Sequence, residues 1–450
     1  MSPGDARPEQ VTLINAGFVV PVCPERGALA NHSVVVSGDL ILDLKPTEEA
    51  IRVWPGAERI DLPGHVVFPG LVNAHTHSPM SLLRGYADDM ELHVWLQEHI
   101  WPAEARYVNP DFVEDGTRLA VAEMLRSGTT CFNDMYFFPG STIDVCQQTG
   151  IRVSAGITII EMASSWATDV SAYIEKGLEL FEQWRDKPLV SFALAPHSPY
   201  TVSDDTLQTI AELSGEYGFP VHMHLLETEW EIKQSFQQHD VHPMTRLQRH
   251  GLLNERLIAV HMAQISPGDI EQMAGSGASV VHCPQSNLKL ASGFCPVAAL
   301  MDAGVNVALG TDGAAANNDL DLLGEVQTAA LLAKGVAADA KAVNAFQALE
   351  MATINGARAL GLGDRLGSIE AGKQADLVAL DLAQPETQPL HHVVSTLVYA
   401  ASSRQVTDVW VAGRRLLKSG QLTSIKLDEL MESAAGWQER LAAFEKRADT

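Results

Sequence analysis

The chain has 450 residues, of which 46% are hydrophobic and 19% charged, and a formal net charge of −25. That length holds one large domain with a smaller companion, and the acidity argues against a surface built for nucleic-acid phosphates. No apolar run nears the ~18 residues of a membrane span, the polar segment 1–10 has no signal-peptide core, and five cysteines without a Cys-x-x-Cys pair fit a reducing cytoplasm.

In chain order, residues 11–60 read as short strands. Segments 11–22 and 33–44 are rich in Val, Ile and Leu, with turn signals such as Ser37-Gly38-Asp39 between them. Nothing there has helical periodicity. The same texture returns at 375–382, 394–400 and 406–411, and 427–447 spaces its apolar residues as a helix does. A β-rich start and end around a different middle predict a small β-sandwich domain built from both termini, over 1–66 and 367–450.

The middle alternates. Strand-like segments 66–77, 129–134, 153–160, 189–197, 221–227, 257–261, 278–283 and 305–312 are separated by helical patterns, including 112–127, 204–217, 243–249 and 269–274. Eight strands, each feeding a helix, predict an α/β fold of TIM type, a (β/α)8 barrel over 67–366. A doubly wound sheet is the rival, weakened by the lack of a Gly-x-Gly-x-x-Gly turn after the early strands.

The chemically capable residues fall at the C-terminal ends of these strands, where barrels keep their active sites. Strand one ends in His75-Thr76-His77, whose two imidazoles point to one side because residues two apart on a strand share a face. Strand five carries His222-Met223-His224-Leu225-Leu226-Glu227, strand six ends in His261, and strand eight in Gly310-Thr311-Asp312. Singly, Asp312 also fits a helix cap and His261 a packed core histidine. Together, three imidazoles and a carboxylate make a nitrogen/oxygen site suited to zinc, iron or another divalent ion. His222 and His224 share a face; His224 lies nearer the strand end and is the expected ligand, which leaves His222 as a buried packing residue. Strand four ends Leu194-Ala195-Pro196-His197, with no Lys or Glu to bridge a second metal, so one ion per chain is expected.

These motifs, with the flanks Phe68-Pro69-Gly70-Leu71-Val72-Asn73-Ala74 and Gly367-Ser368-Ile369-Glu370-Ala371-Gly372, resemble the amidohydrolase superfamily in its mononuclear deaminase branch. Trp101-Pro102-Ala103-Glu104 and Pro196-His197-Ser198 extend the likeness to the 5′-methylthioadenosine/S-adenosylhomocysteine deaminase family. The resemblance implies one metal, zinc the expected ion, held by His75, His77, His224 and Asp312. It implies that Glu227 protonates the purine ring nitrogen, that Asp312 takes the water's proton, and that His261 orients the nucleophile without ligating. Glu104 then accepts from the ribose hydroxyls and His197 contacts base or sugar. Trp95 fits pocket wall and core equally and is not assigned. The partners expected are a small nucleoside and water, with no nucleic acid and no membrane; a homo-oligomer stays open.

Two rivals remain. Another ring deaminase or a triazine-type chlorohydrolase would use the same cradle, and a non-catalytic metal-binding module would have no need of Glu227. As to substrate, the stretch 153–175 contains no Arg or Lys, offers Glu161 and Asp169, and has an apolar group near Met162 and Trp166. That environment predicts a preference for methylthioadenosine or adenosine over S-adenosylhomocysteine, whose tail carboxylate calls for an arginine.

Overall fold

The structure, a computed structural model, describes residues 10–448. The reading of segment 1–10 therefore lies, Gln10 apart, outside the described residues. The chain lays down β1 (Val11–Val19), β2 (Leu29–Ser37), β3 (Leu40–Pro46) and β4 (Glu58–Pro69). It then runs through β5 (Leu71–Thr76), β6 (Thr129–Asp134), β7 (Arg152–Ile159) and β8 (Val190–Pro196). β9 (Val221–Leu225), β10 (Leu257–His261), β11 (Ser279–His282) and β12 (Asn306–Leu309) follow. The chain returns in β13 (Leu377–Asp381), β14 (Val406–Val411), β15 (Arg414–Lys418) and β16 (Gln421–Leu422).

β5 to β12 form one sheet in chain order, each strand parallel to the next. Its edges meet where the Asp312 amide donates to the His75 carbonyl at 3.1 Å and the Thr311 amide donates to Asn73 Oδ1 at 3.0 Å. The barrel expectation holds, and the doubly wound alternative does not. Strand burial is nearly continuous, as it must be with side chains filling the inside and helices covering the outside.

The remaining strands make the second sheet, in the order β16-β15-β14-β13-β4-β1-β2-β3, so the two ends of the chain interleave. The sheet doubles over itself. The Ala375 amide donates to the Asp39 carbonyl at 2.8 Å, and Ile14, Val34, Val36, Ile41, Leu377 and Trp410 share one apolar core. Gly413 sits at the crossing with φ +72°; a Cβ there would lie 2.0 Å from the Gly38 carbonyl oxygen, which leaves no room for a side chain.

Three expectations change. Segment 66–77 is two strands: 66–69 pairs with β13 in the small sheet, and β5 starts the barrel after the bend at Gly70, where a Cβ would strike Thr130. Segment 394–400 is not a strand but the helix Val393–Tyr399. Its β-branched residues favour extended chain locally, yet Val393, Val394, Leu397 and Val398 are the buried ones, a helical face, and the His392 ring accepts from the Ser395 amide to start it. A short helix, Thr47–Val53, also interrupts the N-terminal strands, with Glu48 and Glu49 in its first turn and Ala50 buried against Leu13 and Val35. The C-terminal helix forms as expected, over Leu427–Ala448. Among the described residues no helix is long and apolar enough to cross a membrane.

Candidate metal centre and active site

The barrel twist brings the ends of β5, β9 and β12 to one point. His75, His77, His224 and Asp312 each offer one ligand atom there, all within 4.8 Å of one another. Asp312 Oδ1 lies 3.2 Å from Nε2 of both His75 and His77, and the Nε2 atoms of His77 and His224 are 3.3 Å apart. The far nitrogens are fixed from behind. His77 Nδ1 donates to the Met135 carbonyl at 2.6 Å and His224 Nδ1 to the His197 carbonyl at 2.7 Å, so both rings present Nε2. The donor set, three imidazoles and a carboxylate, fits a single divalent ion of zinc type. The second Asp312 oxygen accepts from Ser286 Oγ at 2.7 Å.

Charge at this point is arranged around Asp312. Burial alone would raise its carboxyl, but hydrogen bonds from His75 and His77 outweigh that and hold it well below the usual range. Burial likewise opposes charge on His77, and the Asp312 contact overrides it, raising this ring to about 9. His75, fully buried, is taken the other way by that burial, down to about 4.

Glu227 follows β9 through a turn in which Leu226 takes φ +50°. Its carboxylate lies 3.8 Å from His261 Nε2 and accepts from Ser292 Oγ at 3.2 Å. Burial raises its carboxyl, with His261 opposing. His261 is itself oriented from behind by Asn287, at 2.8 Å from its Nδ1. His261 and Asp312 both sit on left-handed backbone, φ +74° and +63°. With Leu226 that makes three non-glycine residues in a costly conformation around one site, a pattern typical of functional centres.

A cavity opens over these groups. His77, His197, His224, Glu227, His261 and Asp312 form its floor, and Glu104 stands in its wall. Glu104 accepts a 2.6 Å hydrogen bond from the Tyr136 hydroxyl, and burial pushes its carboxyl up to about 7 against that bond. Much of its wall is apolar, with Met80, Trp95, Ile100, Phe137, Ile160 and Met162, and no arginine or lysine is among the lining residues. Every residue expected at the site is therefore in this one cavity or its metal cradle, and Trp95 joins them as a wall.

Some expectations about this neighbourhood need correction. His222 does more than pack: its Nε2 is 2.9 Å from His75 Nδ1. Glu161 and Asp169 do not confront a substrate tail. Glu161 accepts from the Ser203 amide and the Thr206 hydroxyl, while Asp169 caps the helix Val170–Trp184 through the Ala172 amide. Trp166 is buried against Tyr173 behind the cavity wall. Sequence reasoning missed Tyr136 and Ser292, lone polar residues in loops, and Ser286 and Asn287 on the short helix Pro284–Lys289, none with a spacing to mark it. It also missed Glu231, buried at the start of the helix Glu229–His239, whose carboxylate accepts the Leu226 and Glu227 amides. That one carried a signal: an acid four residues after Glu227 at a helix start.

A nitrogen/oxygen cradle with one facing carboxylate, at the C-terminal mouth of a (β/α)8 barrel, defines a metal-dependent hydrolase. The sequence model of the amidohydrolase family matches residues 66–416, and the chain belongs to that family. A protein of Teredinibacter turnerae named 5-methylthioadenosine/S-adenosylhomocysteine deaminase is 49% identical over 430 residues, covering 96% of this chain and 97% of its own. The crystal structure of an adenosine deaminase from Xanthomonas campestris with bound zinc superposes with a TM-score of 0.94 at 51% identity, covering 97% and 100% of the two chains. Atrazine chlorohydrolase from Arthrobacter aurescens, also with zinc, gives a TM-score of 0.89 over 95% and 99%; at 22% identity the likeness is one of fold.

Proposed function

We propose that this chain is a hydrolytic deaminase of adenosine-type nucleosides, acting on 5′-methylthioadenosine or adenosine in preference to S-adenosylhomocysteine. The observation that carries the reading is the placement of Glu227 beside His261, in the cavity that the cradle residues share with Glu104. A structural metal site has no need of an acid there.

His75, His77, His224 and Asp312 hold one divalent ion, zinc the expected one, whose contribution when bound is to lower the pKa of water toward neutrality. The chain's own groups move the protons. Glu227, whose carboxyl burial raises, gives a proton to the ring nitrogen beside the amino-bearing carbon. His261 orients the attacking oxygen, and Asp312 receives a proton from the water. The bond from that carbon to oxygen forms as the bond to the amine breaks. Of the water's two protons one is left, net, on the ring nitrogen and one on the departing ammonia. Glu104 accepts from the ribose hydroxyls, with one oxygen already engaged by Tyr136, and His197 contacts base or sugar.

The named relatives support the nucleoside over a triazine, and the largely apolar wall, free of lysine and arginine, supports a small 5′ group over a charged tail. On this reading the barrel, which starts at Leu71 after the bend at Gly70, carries every site residue, and the sheet built from both ends of the chain supports it. The partners are the nucleoside and water alone, with no nucleic acid, and the setting is cytoplasmic; a homo-oligomer remains open. Ammonia release from methylthioadenosine, adenosine, S-adenosylhomocysteine, free adenine and a chlorotriazine is the test. Turnover confined to the triazine or the free base would replace the nucleoside reading, and no turnover on any of them would favour a binding module.

A further inference from the structure

We propose that His222 is the positioning residue of the metal ligand His75, deciding which of its two ring nitrogens carries the proton and so whether the one facing the ion is bare; this rests on the metal reading of the cradle. The three ligand imidazoles are not held alike. Nδ1 of His77 and of His224 each meets a backbone carbonyl, at 2.6 and 2.7 Å. A carbonyl can only accept, so both rings keep a proton on Nδ1 whether or not the ion is bound, and Nε2 is the nitrogen turned to the ion. His75 Nδ1 instead meets His222 Nε2, at 2.9 Å, with the two rings 4.9 Å apart and inclined at 74°. Both residues are fully buried, so no solvent substitutes for this contact.

A second imidazole can donate or accept, which makes His75 the one ligand whose ring is not locked. Two arrangements satisfy the contact. In one, His222 Nε2–H donates to His75 Nδ1, and the His75 proton sits on Nε2, aimed at Asp312 Oδ1 3.2 Å away. That arrangement blocks the ion. In the other, His75 Nδ1–H donates to His222 Nε2 and His75 Nε2 is bare for coordination. His222 then carries its own proton on Nδ1, an atom that finds no partner among the described residues. The first arrangement leaves only a bare lone pair there, the second a buried donor without an acceptor, which is the costlier state. Filling the cradle therefore reverses the hydrogen bond between these two rings, and an acceptor at the His222 position is what allows it. The sequence gives the spacing that makes this possible: residues two apart on β9 share the inward face, so His222 lies one layer beneath His224.

The test compares zinc affinity, by competition with a chelator of known strength, in the wild-type protein and in His222→Phe, His222→Leu and His222→Gln. Phe keeps ring bulk and Leu a smaller apolar volume, both without an acceptor; the Gln amide oxygen reaches the place of the imidazole Nε2. Outer partners of metal-bound histidines typically contribute ~10–100-fold in affinity. The expected result is a loss of that size in Phe or Leu, whichever folds, with Gln within a few-fold of wild type. The melting temperature of the metal-free protein gives the readout that packing alone would move. It is expected to stay near wild type in the folded variants, while the rise on adding zinc shrinks in Phe and Leu only. Wild-type affinity in the variants lacking an acceptor, or equal losses in Gln and Phe, would overturn the inference. A wild-type protein that binds no zinc would overturn the cradle reading itself, a different failure.

Discussion

His77 Nε2 and Asp312 Oδ1 face each other at 3.2 Å, so the cradle stores a proton on the very axis where a cation binds. Burial opposes a charged His77, but Asp312 outweighs it and raises the ring to about 9. Below that pH the metal-free protein carries an imidazolium there, and metal uptake must displace its proton. Affinity for zinc is therefore expected to climb about tenfold per pH unit up to that point and then level off. In the metal-free protein the same pair stabilises the fold fully below the ordinary histidine range, and that contribution is lost as pH rises through about 9. Zinc titrations from pH 6 to 10, read for affinity and proton release, check this. Saturation at one equivalent is expected, and full activity requiring a second would remove the single-ion assignment.

Glu227→Gln keeps the side chain's size and its contact with Ser292 but has no proton to transfer at neutral pH. Turnover is expected to fall ~10²–10⁴-fold with zinc content unchanged, as for a general acid–base group. Steady-state kinetics with metal analysis decides it; near-normal turnover would take Glu227 out of the chemistry.

Glu104 is expected to read the ribose. Burial pushes its carboxyl up to about 7, so it accepts best above that pH and nucleoside binding should weaken as pH falls through it. KM for adenosine is predicted to rise on the acid side in the wild type, and Glu104→Gln to lack that rise. Glu104→Ala should weaken nucleosides more than free adenine; equal losses would place the sugar contact elsewhere.

The wall of the cavity offers a carboxylate no cationic partner among the lining residues. A charge-assisted hydrogen bond is worth ~1.5–3 kcal/mol, about ten- to over a hundred-fold. kcat/KM for methylthioadenosine and adenosine should exceed that for S-adenosylhomocysteine by a factor in this range. Introducing a cation with Met162→Arg should narrow the gap. A clear wild-type preference for S-adenosylhomocysteine would refute the reading of this wall.

Arg152 on β7 and Asp376 before β13 pair through two contacts, at 3.1 and 3.2 Å, with both side chains almost fully buried. Asp376→Ala strands a guanidinium in the interior and also removes the acceptor of the Ala412 amide. A loss of ~3–5 kcal/mol is expected from denaturant unfolding, with the site's zinc affinity preserved in the folded fraction.

Much of this was legible because barrel topology places strand ends together, so His75, His77, His224, His261 and Asp312 could be assembled from position along the chain. Glu227 came with His224 at a fixed spacing. The supporting groups were not legible in the same way. Ser286 and Asn287 come from the short helix Pro284–Lys289 after β11, Ser292 from the turn beyond it, and Tyr136 from the loop after β6. Each is a single polar residue whose role depends on three-dimensional approach, with no period to betray it. The helix Val393–Tyr399 was misread because valine and threonine favour strands locally, although its burial follows a helical face. Glu161 looked like a charge facing the tail until its partners, Ser203 and Thr206, turned out to lie on the neighbouring helix start.

The bend at Gly70 lets one uninterrupted stretch of chain serve both sheets: Val66–Pro69 is zipped to β13, and six residues after Pro69 His75 begins the cradle. Pulling the small sheet away would tug directly on the first metal ligand. The two sheets are therefore expected to melt as one cooperative unit, and zinc bound at the barrel mouth is expected to protect the amide hydrogens of β4 and β13 from exchange as well as those beside it. What looks like an appendage is the anchor from which the catalytic end of β5 is strung.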